Sequence, residues 1–146
     1  MCILADFTKP KQTTRTLYAY KAVRIQPDQP ECYTSIVGPL CRVSQPIQKV
    51  LRQKRKELSF YHCSRGKRME YALGVAAVSD MDETPGIYCC TSEKRARRIA
   101  RTFGVSGRYK VLKVRIPKGT KIVRGSMRDE RGGMINAEKI VPMEEV

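Results

Sequence analysis

The sequence predicts an α+β fold: a small antiparallel or mixed sheet with two basic amphipathic helices, in one domain over residues 16–146 behind an irregular leader, 1–15. Three observations carry this. Two segments, from Leu17 to Ile25 and from Tyr109 to Ile116, alternate apolar and polar residues with the period of a half-buried strand. Two others, near 45–57 and 93–103, space apolar residues at i, i+3, i+4 beneath an unbalanced basic face. Clusters of Gly, Pro, Ser and Asp punctuate the chain between them. A chain of 146 residues, 41% apolar and 29% charged, is of a size and composition that fold around one core, which excludes disordered and fibrous classes.

Residues 1–15 hold Pro10, a Thr pair and scattered charge without periodicity, hence the irregular leader. Leu17, Ala19, Val23 and Ile25 then alternate with Tyr18, Tyr20, Ala22 and Arg24, and Gln26-Pro27-Asp28-Gln29-Pro30 ends the strand. A shorter strand is expected over Cys32 to Val37, stopped by Gly38-Pro39. Ser44 caps a helix near 45–57, with Ile47, Val50 and Leu51 on its apolar side. Met69 to Val78 reads equally as helix or strand, and Ser79 to Gly86 as an acidic loop. Ile87 to Cys90 forms a buried strand, Thr91 or Ser92 a cap, and Ala96, Ile99, Ala100 and Phe103 the core stripe of the second helix, ended by Gly104. Tyr109–Ile116 directs Leu112, Val114 and Ile116 to one face and Lys113 and Arg115 to the other. Pro117-Lys118-Gly119-Thr120 forms a turn, Lys121 to Val123 a short extended piece, Arg131-Gly132-Gly133 a loop, and Ala137 to Val146 a last strand in which Pro142 marks an edge or bulge.

A net charge of +15 is concentrated rather than spread. Residues 42–68 carry nine basic side chains against one acidic, and 93–124 carry twelve against one, with an acidic stretch between. Such imbalance raises self-repulsion and points to an anionic partner. Candidate anion-binding residues are Lys94, Arg97, Arg98 and Arg101 on the second helix, Lys113 and Arg115 on the following strand, and Lys21 and Arg24 on the first. Lys49, Arg52, Arg55 and Lys56 form a secondary basic face on the first helix. Tyr18, Tyr20, Tyr61, Tyr71, Tyr88 and Tyr109 could stack on bases. Six cysteines without a C-x-x-C pair read as reduced, mostly buried thiols and no metal site. No apolar run approaches the roughly 20 residues that cross a bilayer, so the expectation is a cytoplasmic protein without a membrane partner. The single histidine, His62, has no triad or metal spacing around it; nothing in the sequence demands an enzyme or a cofactor.

Four pieces of the chain carry a resemblance. Tyr18-Ala19-Tyr20-Lys21, Gly86-Ile87-Tyr88-Cys89-Cys90-Thr91-Ser92, Val114-Arg115-Ile116-Pro117-Lys118-Gly119 and Ala137-Glu138-Lys139-Ile140-Val141 resemble a group of small phage and virus proteins, which implies an α+β fold and, if viral, the host cytoplasm. The same pieces resemble, more distantly, ADP-ribosyltransferases. On that resemblance Thr91 and Ser92 match the end of a Ser-Thr-Ser element, Lys118-Gly119-Thr120 a following turn, and Glu138 the catalytic acid. The chain departs from the pattern where Lys21 or Arg24 replaces the first-strand arginine, Cys90 replaces the first serine, and Asn136 breaks the Glu-x-Glu. The functions expected are therefore non-enzymatic binding of a phosphate-bearing ligand, such as capture of a signalling nucleotide in a phage-type anti-defence role, or binding of DNA or RNA by two basic faces. Inhibition of a host protein with an acidic surface, homo-oligomerisation and transferase-like activity complete the alternatives.

Overall fold

A computed structural model describes residues 3–5, 10–26, 29–35, 70–79, 86–103, 108–127 and 130–146. In chain order these form β1 (Ile3–Ala5), β2 (Lys11–Gln12), β3 (Leu17–Gln26), β4 (Gln29–Ser35), β5 (Glu70–Tyr71), β6 (Ala77–Val78) and β7 (Ile87–Cys90). The single helix among the described residues, α1 (Glu93–Phe103), comes next, then β8 (Tyr109–Ile116), β9 (Lys121–Met127), β10 (Glu130–Ala137) and β11 (Lys139–Glu145). The strands make one antiparallel sheet in the order β1-β9-β10-β7-β3-β8-β11-β6, with β2 beside β9, and β4 and β5 extending from β3.

The α+β class holds, but the sheet is not small: among the described residues it has eleven strands. The helix expected at 45–57 lies outside the described residues, as do the loop at 80–85 and Gly104. Met69–Val78 resolves into the two short strands β5 and β6. The leader is not irregular: β1 and β2 both pair with β9. Thr13 is the clasp, donating its Oγ1 hydrogen to Pro117 O at 3.0 Å and accepting from Thr120 N at 3.2 Å. The turn it grips needs Gly119, whose φ of 83° is strained for any residue with a Cβ. Arg131-Gly132-Gly133 is strand rather than loop, lying inside β10. Pro142 sits in β11 where the pairing with β8 shifts register, the bulge that a residue without an N–H tolerates.

The pairing of β3 with β8 runs from Leu17↔Ile116 to Arg24↔Tyr109, and it sets the two faces of the sheet. One face collects Ala19, Val23, Leu112, Val114 and Ile116 with Ile87, Cys89, Ile135, Ala137 and Ile140 into the main core. Fully burying side chains such as Leu112 and Ile116 contributes roughly 1.5–3 kcal/mol each. The other face carries α1, which lays Ala96, Ile99 and Ala100 on Ala22, Cys90, Val111 and Met134. Ser92 is its cap, its Oγ accepting from Arg95 N at 3.3 Å. Thr91, the other candidate, bonds instead through its own N–H to Gly133 O at 3.0 Å.

Along its other edge β3 forks. It pairs with β7 only at Tyr20↔Cys90, and with β4 over Val23–Gln26. At the fork Lys21 is buried, 6% exposed, and its Nζ donates to Tyr88 O at 2.9 Å. That carbonyl lies on β7 where the strand has parted from β3, so the ammonium supplies the hydrogen bond a strand would have given.

Candidate functional site

The helix-bearing side of the sheet gathers most of the basic residues expected to bind anions. On α1 the apolar stripe fixes the rotation of the helix, so Lys94, Arg98 and Arg101, spaced i, i+4, i+7, are exposed in one row about 10 Å long. β7 ends level with Tyr20 and β8 begins level with Arg24, so α1 runs between those two ends of the sheet. Arg24, half-buried, stands at its C-terminal end opposite Tyr109. Toward its N-terminal end, on the same face, lie Lys113, opposite Tyr20, then Tyr18 and the exposed Arg115, with Tyr18 directly opposite Arg115. The Lys113 ammonium sits 5.5 Å from the centroid of the Tyr18 ring and 3.9 Å from Glu144 Oε1.

Two of the expected residues are placed otherwise. Arg97 is held by Glu93, with Nη2 and Nε at 2.7 and 2.8 Å from Oε1, so its charge is balanced locally. Both groups are more than two-fifths exposed, where such a pair stabilises by at most about 1 kcal/mol. Lys21 belongs to the opposite face, inside the core, and is no surface anion site. Burial disfavours its charge, but the electrostatics of neighbouring Tyr71 and Cys89 favour it, and the net direction is upward; the ammonium also lies 5.2 Å from the centroid of the Tyr71 ring. The secondary face, Lys49, Arg52, Arg55 and Lys56, lies outside the described residues.

Arg95 is a residue that sequence reasoning passed over. Its guanidinium lies on the backbone of Gly133, where an added Cβ would stand 1.9 Å from Nη1, and it reaches Thr91 Oγ1 at 3.5 Å. Underneath, Cys90 Sγ is 3.6 Å from Met134 Sδ. Cys89 and Cys90 are both free and buried. Burial pushes the Cys89 thiol up to about 11, partly offset by Lys21. Burial and the neighbouring Cys89 push Cys90 up to about 12, partly offset by Lys21 and Arg95. Neither is poised as a nucleophile, because the thiolate is what attacks. Among the described residues no cluster of His, Cys, Asp and Glu could hold a metal, and no helix is long and apolar enough to cross a membrane.

The residues aligned with the transferase pattern are not brought together. Thr91 bonds to Gly133, whereas Glu138 lies five positions further along, roughly 16 Å at strand rise. The Glu138 carboxylate accepts from Lys121 N at 3.3 Å and its own N–H donates to Lys121 O at 2.9 Å, fastening the β10–β11 bend to β9. Comparison with protein-family models, curated proteins and solved structures yields no match.

Proposed function

We propose that the protein is a nucleic-acid-binding protein that holds the phosphate backbone with the α1 side of its sheet. The observation that carries this is the row Lys94, Arg98 and Arg101, exposed on a helix docked through Ala96, Ile99 and Ala100 and continued on the same side by Lys113 and Arg115. Like charges at i, i+4 repel by a few tenths of a kcal/mol per pair, and a line of phosphates relieves that repulsion. A small nucleotide needs a few groups converging on a recess; these groups are spread along exposed positions, which suits a polymer.

Titration of labelled single- and double-stranded oligonucleotides between about 50 and 200 mM salt tests the reading, with a nucleoside triphosphate as the small competitor. Replacing Lys94, Arg98 and Arg101 together with alanine is expected to lower the salt slope by roughly 2 to 3 units, since each phosphate contact contributes about 0.7 on single strands and 0.9 on duplex. Unchanged affinity in a triple variant with native circular dichroism would remove α1 from the interface. Tight, salt-insensitive binding of the nucleoside triphosphate would favour a small-ligand site instead.

A further inference from the structure

Of the described tyrosines, Tyr33 and Tyr71 are buried in the main core at 4% and 3% exposure, and Tyr20, Tyr88 and Tyr109 pack around the cluster under α1. Tyr18 alone among them stands out, 57% exposed. It is carried near the start of β3, whose pairing with β8 spans Leu17 to Arg24, so the ring is presented on a fixed backbone. The Lys113 ammonium lies over the ring, and its pair with Glu144, at 3.9 Å, is loose and exposed, where such a contact stabilises little. Arg115 is the direct cross-strand neighbour of Tyr18, at a separation where side chains meet. An aromatic surface more than half exposed, beside two cations of the neighbouring strand and on the side that carries the α1 row, has the components of a stacking site: a π-face for a base and charges for the flanking phosphates.

We infer that the nucleic acid is single-stranded, and that Tyr18 stacks on an unpaired base while Lys113 and Arg115 hold the phosphates beside it. This rests on the reading of the α1 side as a phosphate-backbone interface. In a duplex the base faces are already stacked on one another and cannot reach a ring standing on a strand, whereas an unpaired base can be splayed out onto it. Stacking is tolerant of base identity because every base has a π-face, so the preference is for single strands over duplex rather than for one sequence.

The test uses four probes on the full chain: oligo(dT), oligo(U), a DNA duplex and inorganic polyphosphate, which has the charge but no base. Tyr18→Leu keeps an apolar side chain and removes the ring; Tyr18→Phe keeps the ring. The leucine variant is expected to bind oligo(dT) and oligo(U) roughly fivefold to 150-fold more weakly, with duplex and polyphosphate affinities unchanged and the phenylalanine variant close to the parent. An equal loss on all four probes would overturn the inference, assigning Tyr18 only to the placement of Lys113, and so would no loss on the single strands. A parent protein that binds duplex at least as tightly as single strands overturns the inference but leaves the backbone-binding reading standing. A parent that binds none of the four overturns both.

Discussion

Placing a methyl group on Gly133 tests how α1 is seated on the sheet. Gly133 is buried in β10, and an ideal Cβ there would lie 1.9 Å from Arg95 Nη1, 2.5 Å from Cζ and 3.0 Å from Nε. Ordinary contact begins near 3.4 Å, so Gly133→Ala must drive the guanidinium off the strand by more than an ångström. That breaks its contact with Thr91 Oγ1, while the guanidinium, the far end of a flexible and partly exposed side chain, swings aside, so the cost is that of a lost hydrogen bond, about 0.5–1.5 kcal/mol. Against this, alanine in a strand costs less backbone entropy than glycine, a gain of about 0.5–1 kcal/mol. The net expectation is an effect within about 0.5 kcal/mol of zero. With Arg95→Ala in place the obstruction is gone and only the entropy gain remains, so the same substitution is expected to stabilise by about 0.5 kcal/mol. Urea denaturation of the parent, both single variants and the double variant reads this as a coupling of roughly 0.5–1.5 kcal/mol. Equal effects of Gly133→Ala in the two backgrounds would refute the assignment of Arg95 to the glycine cradle.

Two further outcomes are expected. Lys21→Met removes an ammonium that lies within the core, so binding to nucleic acid should be unchanged while stability falls by about 1–3 kcal/mol as the Tyr88 carbonyl loses its donor; a loss of affinity matching that of Arg115→Ala would show that Lys21 reaches the ligand. The buried thiols should make the fold sensitive to alkali. Burial raises Cys89 from its ordinary value of 9.0 to about 11 and Cys90 to about 12, so the folded chain keeps protons that the unfolded chain releases. The contribution is complete below the unfolded value and is lost as pH rises from 9 through the folded values, with a slope approaching about 1.4 kcal/mol per pH unit for each thiol. Denaturation across that range should give a flatter profile for the Cys89→Ala, Cys90→Ala double variant, and coincident profiles would sink the argument.

How legible each part was in the sequence depended on how local its cause is. The α1 stripe Ala96, Ile99 and Ala100 repeats at the pitch of a helix, and the helix forms over 93–103 with that side buried. β8 obeys its alternation in the same way, with Leu112, Val114 and Ile116 in the core and Lys113 and Arg115 on the α1 side. The error at Lys21 was one of charge overriding period. Between Ala19 and Val23, alternation places it among the inward residues, and the signal was there to be read. Arg131-Gly132-Gly133 misled differently, since Gly133 serves a close approach by Arg95 from an element more than thirty residues away and not a turn. Met69–Val78 stayed ambiguous because strands of two residues are too short to display a period.

The sequence by itself determined the features that arise from covalent neighbours: the +15 charge and its concentration into two blocks, the long strands β3 and β8, the helix α1 with its basic side, and the turn at Gly119. Those features need only side-chain spacing, backbone sterics and a count of ionisable groups. Tertiary structure decided which of the described tyrosines stands most exposed, which lysine is drawn into the core at the fork of β3, that Arg97 pairs with Glu93, that Lys94, Arg98 and Arg101 are exposed in one row, and that the leader is sewn onto β9. Each of these turns on strand pairings or side-chain contacts that exist only once the chain has folded. Tyr18 and Tyr71 are the same side chain in sequence, and only strand pairing and packing make one an open ring beside two cations and the other a core residue.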